Sequence, residues 1–190
     1  MHTNDIVAIV FHKRICNIKA NRKKAKQKYI DFIKMARCCC VIKSVDGTIE
    51  GTLILHQAQE EAPTTIDGTI HGLVPGKHGI HIHVFGDFSE GPFSSCGSIF
   101  NPFGRNHGAP DDEERMVGDL GNIDADDEGK AHVNIEDRQV KLIGPHSIIG
   151  RSILIKSDAD DLGRGGHEYS LSTGNSGQRI AGGVVGIASS

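Results

Sequence analysis

Two histidines at i and i+2, His81 and His83, sit inside the apolar alternation Gly79-Ile80-His81-Ile82-His83-Val84-Phe85-Gly86-Asp87. Side chains two apart on a β-strand share a face, so both imidazoles point the same way. Neutral imidazole is the commonest protein ligand for zinc and copper, and two on one face can grip one ion. The pair equally suits a strand whose histidines are simply hydrogen-bonded. Further donors from elsewhere in the chain must decide between the two.

The elements that would position such donors are short. Strand signals recur at Arg37–Lys43, Thr48–His56, Thr64–Leu73, His78–Phe85, Met116–Gly121, Lys130–Glu136, Ile148–Lys156 and Ala181–Ala188, with turn residues between them. Lys130–Glu136 alternates cleanly, placing Ala131, Val133 and Ile135 on one face. The 24 glycines and the absence of any useful helical period after residue 35 agree with an all-β antiparallel sandwich or barrel. Two connections, Gly86–Arg115 and Ser157–Gln178, exceed the roughly fifteen residues of an ordinary loop. Each follows a strand end that carries a polar residue, His83 or Lys156, so function is expected between these loops.

Composition splits the chain in two. Residues 1–34 carry nine Lys/Arg against two Asp, or +7, whereas residues 35–190 carry twelve against twenty-two Asp/Glu, or −10. The first part reads as a basic, flexible extension, with Met35 as an alternative start. Its lysine-rich run, Asn21–Lys28, would suit nucleic acid or an acidic surface only as a third reading. Cys16, Cys38, Cys39, Cys40 and Cys96 form no spaced disulfide framework and no CxxC pair, which points to a reducing, cytoplasmic setting. The run Ile6–Phe11 is too short and too acidic on its leading side for a signal-peptide core, and nothing approaches a membrane span.

Gly79–Asp87, Phe100-Asn101-Pro102, His107–Pro110, Asp112–Arg115, Val117–Asn122, Ile148–Arg151, Ala159–Gly163 and Gly174–Ile187 follow one another across residues 35–190. In these stretches and in their order the chain resembles the copper/zinc superoxide dismutase family. The resemblance implies an eight-stranded Greek-key β-barrel of the immunoglobulin-like sandwich type, usually a homodimer. It also implies a zinc-bearing first loop and a second loop that guides superoxide.

Carried across one position at a time, the family's metal ligands give a mixed result. The copper pair is present as His81 and His83, and the zinc ligands His107 and Asp119 remain. The metal-bridging histidine is replaced by Ile99, a zinc histidine by Met116, and the last copper histidine by Lys156. Isoleucine has no donor atom, an ammonium has no free lone pair, and a thioether suits soft Cu(I) better than zinc. Four of seven positions survive, short of the usual zinc set. No cofactor is firmly implied beyond residual copper or zinc. The resemblance further implies that Asp160 ties His81 to His107, that His78 supports the site, and that Arg179 guides an anion. It places an intrasubunit disulfide where Phe93 and Gly182 stand, so that bridge cannot form. His146 and His167 read as surface histidines.

The sequence therefore leads to a dismutase-like protein with weak or no dismutase activity and a binding or regulatory role. Expected partners are a second copy, an authentic dismutase subunit or the family's copper chaperone, with superoxide as substrate only if the protein is active. Neither a membrane nor nucleic acid is expected. The alternative is an active dismutase or a Cu(I)-binding protein using His81, His83 and Met116. The lysine at 156 is expected to place its ammonium against the lone pairs of His81 or His83.

Overall fold

The computed structural model describes residues 36–189; the basic extension, Cys16 and Met35 lie outside them. Eight strands follow in order: β1 (Ala36–Lys43), β2 (Glu50–Gln57), β3 (Thr64–His71), β4 (Gly76–His83), β5 (Asp119–Ala125), β6 (Ala131–Asp137), β7 (Ser152–Lys156) and β8 (Arg179–Ile187). They close into an antiparallel barrel in the order β1-β2-β3-β6-β5-β4-β7-β8. The steps from β3 to β4 and from β6 to β7 cross over neighbours, which is the Greek-key pattern. Helix is confined to a 3-10 turn at Ser94–Cys96 and to α1 (Ser170–Thr173) among the described residues. No described helix is long and apolar enough to cross a membrane.

Alternation explains the core. β1 turns Cys38, Cys40 and Ile42 inward, β2 Leu53 and Leu55, and β3 Ile66 and Ile70. The consecutive cysteines thus divide between the two faces, and all four described cysteines are free. β4 and β7 behave differently, because both of their faces are covered. Ile80, Ile82, Ile153 and Ile155 enter the barrel core, while His81, His83, Ser152, Leu154 and Lys156 are buried on the opposite face. The two long loops supply that cover.

Most strand bounds shift by a residue or two from the sequence reading, and β5 and the start of β7 shift furthest. β5 starts at Asp119 rather than Met116, because Met116–Asp119 closes a turn and Gly118 bonds to Phe100 and the end of β4. Residues Ile148–Arg151 form a turn before β7, closed by the Arg151 N–H on the Ile148 carbonyl.

Candidate metal-site remnant

Two β-bulges aim the side chains. Opposite β4, the register passes from Gly79↔Asn122 to His81↔Asp119, leaving one extra residue on β5 near Gly121, whose φ is 76°. That irregularity puts Asp119 on the same face as His81. Opposite β7, the register passes from Ile155↔Ala181 to Lys156↔Arg179, and the extra residue Ile180 brings Arg179 onto the face of Lys156. Glycine within a strand is a signal for such a bulge, and Gly121 carried it in the sequence.

Asp160, from the second loop, accepts from two rings: His81 Nε2 at 2.7 Å and His107 Nε2 at 2.8 Å. Its backbone is clamped by Asn122, whose Oδ1 accepts the Asp160 N–H at 2.7 Å and whose Nδ2 donates to the Asp160 carbonyl at 2.9 Å. Nothing in the sequence singled out Asn122 for this task. His78 places both ring nitrogens 2.8 Å from carbonyl oxygens, those of Lys156 and Val74, tying β4 to the start of the second loop.

His107 and Asp119 are hydrogen-bonded to each other. His107 Nδ1 donates to Asp119 Oδ1 at 2.7 Å, and Asp119 Oδ2 accepts the N–H groups of Gly108 and Met116 at 3.1 and 2.9 Å. Both ring nitrogens of His107 therefore face carboxylates. Burial alone would lower its pKa, but Asp119 and Asp160 outweigh burial and raise it to about 9. Burial would likewise raise Asp160, and its bonds from His107 and His81 overcome this, holding it at about 2. The locus contains a buried imidazolium between two carboxylates.

The copper-type pair has the opposite character. Burial lowers the pKa of His81 despite Asp160, and burial lowers His83 to about 3, aided by Arg179, His81 and Lys156. Both rings are thus neutral. The His81 Nε2–H goes to Asp160, and the His83 Nδ1–H donates to the Gly97 carbonyl at 3.0 Å. These partners fix the tautomers, leaving lone pairs on His81 Nδ1 and His83 Nε2. Those two atoms are buried without a hydrogen-bond partner. The ring centroids lie 6.3 Å apart.

Ile99, Met116 and Lys156 close the surroundings. Ile99 is buried and forms a bridge with His83 at the end of β4. Met116 is buried on the Asp119 side through its own N–H bond. Lys156 is buried, and burial together with Arg179 lowers its pKa to about 8. Its side chain makes no hydrogen bond to His81 or His83 among the described residues, contrary to the sequence expectation. Repulsion by the neighbouring guanidinium opposes a closer approach of the ammonium to the rings. Arg179 itself is fastened by Nη1 to the Phe93 carbonyl at 2.5 Å and by Nη2 to the Gly97 carbonyl at 2.6 Å. Gly97 thus orients both His83 and Arg179, a role with no side-chain signature.

Phe93 and Gly182 meet where the expected disulfide is absent. Phe93 has φ 61° and packs with Cys96 and Leu154 in a small cluster outside the barrel core. A Cβ on Gly182 would lie 3.3 Å from the Phe93 ring and 2.3 Å from Leu154 Cδ2, so only glycine leaves room for the aromatic ring and leucine. His146 meets Phe103 edge-to-face and His167 lies against Tyr169, and neither joins the network.

Against zinc, this donor set does not fit, because His107 and Asp119 converge without the further imidazoles that four-coordinate zinc needs, Met116 and Ile99 standing nearby instead. Toward a soft monovalent cation the two bare lone pairs do fit, whereas Cu(II) would need more nitrogen or oxygen donors than His81 and His83 supply. Residues 49–185, well over half the chain, match the family model described as copper/zinc superoxide dismutase.

Proposed function

We propose, from the premise that this chain belongs to the copper/zinc superoxide dismutase family, that it is a superoxide dismutase-like protein with little or no dismutase turnover. We place it in the cytoplasm, as a homodimer with a binding or regulatory role. The observation that carries this reading is the pair of buried side chains beside His81 and His83, Ile99 with no donor atom and Lys156 as an ammonium. The zinc-side residues satisfy one another, and the bridging position between the two metal loci holds hydrocarbon. A copper ion, when bound, supplies one-electron chemistry toward superoxide. Here His81 and His83 would hold it, with Lys156 contributing a positive charge instead of a third lone pair. Elemental analysis of protein from copper- and zinc-supplied cells is the test. Less than about a tenth of an equivalent of zinc is expected, and one full equivalent contradicts the reading.

A second reading has its own observation, the two buried, unpartnered imidazole nitrogens. A buried acceptor without a partner costs about 1–3 kcal/mol, so two on one face are unusual unless a ligand satisfies them. His81 Nδ1 and His83 Nε2 suit two-coordinate Cu(I). Competition with a colorimetric Cu(I) chelator separates the readings: one retained equivalent that His83→Ala abolishes supports Cu(I) binding.

The homodimer has support in an exposed apolar surface. Phe85, Ile149 and Val184 are 55, 37 and 38 % exposed. Gly86 and Gly150 bring their segments together, since a Cβ on Gly86 would meet the Gly150 carbonyl and Val184 Cγ1. Exposed apolar side chains on segments that approach one another in this way suit an interaction surface. An authentic dismutase subunit or the family's copper chaperone would use the same face.

A further inference from the structure

Lys156 on β7 and Arg179 on β8 stand opposite each other and share a face. Like charges paired across strands in this way destabilise the pairing. Lys156 is only 6 % exposed, and its side chain has no hydrogen-bonded or ion-paired partner among the described residues. A lysine buried to that extent is ordinarily paired. Arg179, by contrast, gives N–H groups to the Phe93 and Gly97 carbonyls, which holds its guanidinium in place.

The amine is reached from outside. Lys156 and Arg179 line an open cleft of about 490 Å³, whose other walls are the uncharged Pro92, Ser94, Gly177 and Gln178. On the covered side Gly79 leaves room for the lysine stem, since a Cβ there would lie 3.2 Å from Lys156 Cγ. The charged and titratable groups around the amine are Arg179 on β8, His83 on β4, and Asp158 and Asp160 on the second loop. Both carboxylates are engaged elsewhere: Asp160 by His81, His107 and the Leu162 N–H, and Asp158 by the Ser157 hydroxyl. Burial and the guanidinium prevail over them, so more of this side chain is free amine near neutral pH than of a surface lysine.

We infer that Lys156 is a nucleophilic amine that takes up a small aldehyde as a reversible imine. Desolvation and a neighbouring cation are the two devices that activate a lysine for carbonyl chemistry. The amine lone pair attacks the carbonyl carbon, and the C–N bond forms as the π pair moves to oxygen. Both nitrogen protons then leave with that oxygen as water, and the C=N bond remains. No oxidant or reductant is consumed. An imine is a weaker base than the amine, so the adduct removes the repulsion across β7 and β8 that the ammonium maintains. The inference needs no metal and is read without dismutase activity, so it stands apart from the low-turnover reading.

The test is trapping with propionaldehyde and sodium cyanoborohydride, which delivers hydride to the imine carbon and leaves a stable propyl group. Full-length protein is labelled at neutral pH to a small extent, and peptide mapping by mass spectrometry gives the rate at each lysine. Lys156 should react about tenfold faster than the exposed Lys43 and Lys77, as an activated amine does. Arg179→Gln should slow Lys156 severalfold, and Arg179→Lys, which keeps the charge, should recover most of the lost rate. Should Arg179→Gln fail to fold, the ratio of Lys156 to the two exposed lysines in the unaltered protein decides alone. Labelling of Lys156 no faster than that of Lys43 and Lys77 overturns the inference. So does an undiminished rate at Lys156 in folded Arg179→Gln protein.

Discussion

His107 carries a proton between Asp119 and Asp160, so the carboxylates stabilise a buried imidazolium in the metal-free protein. Breaking one side leaves buried charge poorly compensated, at a cost of about 3–5 kcal/mol. Asp160→Asn should therefore lower unfolding stability in urea by that amount, and a loss below about 1 kcal/mol would show that Asp160 is not a tie. Linkage gives the pH dependence its sign. The raised His107 pKa contributes stability that is complete below its unfolded value near 6.5 and fades as pH rises to about 9. The depressed Asp160 pKa contributes above its unfolded value near 3.9 and fades as pH falls toward about 2. Thermal melts should peak near pH 6.5, declining above it as His107 loses its proton and below it because the buried His83, with a pKa of about 3, and His81 stay neutral where the unfolded chain takes up protons. A melting temperature that rises steadily from pH 6.5 to 9 would contradict the assignment. At this scale the losses at Ile99, Met116 and Lys156 were legible as letters. The His107–Asp119 bond was not, because two residues twelve positions apart acquire their 2.7 Å contact only through the loop's path.

The first long loop is held to the barrel without a covalent cross-link. Arg115 is buried and reaches Asp137 on β6 through Nη2 at 2.5 Å, while its other N–H groups bind the carbonyls of Pro110, Met116 and Asp119. At the loop's other end Phe93 inserts beside Leu154 and Cys96 and presents its carbonyl to Arg179. Phe93→Ala should cost about 3–5 kcal/mol, the usual range for a buried aromatic, measurable by chemical denaturation. A loss under about 1 kcal/mol would mean that the ring does not anchor the loop. Most strands were legible from alternation, as β6 shows with Ala131 and Val133 facing inward. The bulges were not, since a one-residue slip on β5 or β8 depends on pairing partners far away in sequence. They decide which face Asp119 and Arg179 occupy.

On the scale of the whole molecule, turn-rich composition and short alternating runs sufficed for an all-β antiparallel sandwich or barrel and the family resemblance for its closure, whereas β4 and β7, buried on both faces, took their character from the covering loops. The exposed patch of Phe85, Ile149 and Val184 predicts self-association. Ile149→Glu should convert a dimer to a monomer in sedimentation analysis, because an unpaired carboxylate at an apolar contact opposes docking. An unchanged mass would place the interface elsewhere. The proposed low turnover follows chiefly from Ile99, with no donor atom, and Lys156, an ammonium, where the family resemblance expects the bridging and last copper histidines. Its most direct test is the rate at which purified protein, supplied with copper and zinc, removes superoxide. The predicted result is a rate no greater than that of the same protein stripped with a chelator. A second-order rate near the diffusional ceiling of about 10⁸–10⁹ M⁻¹s⁻¹ would contradict it.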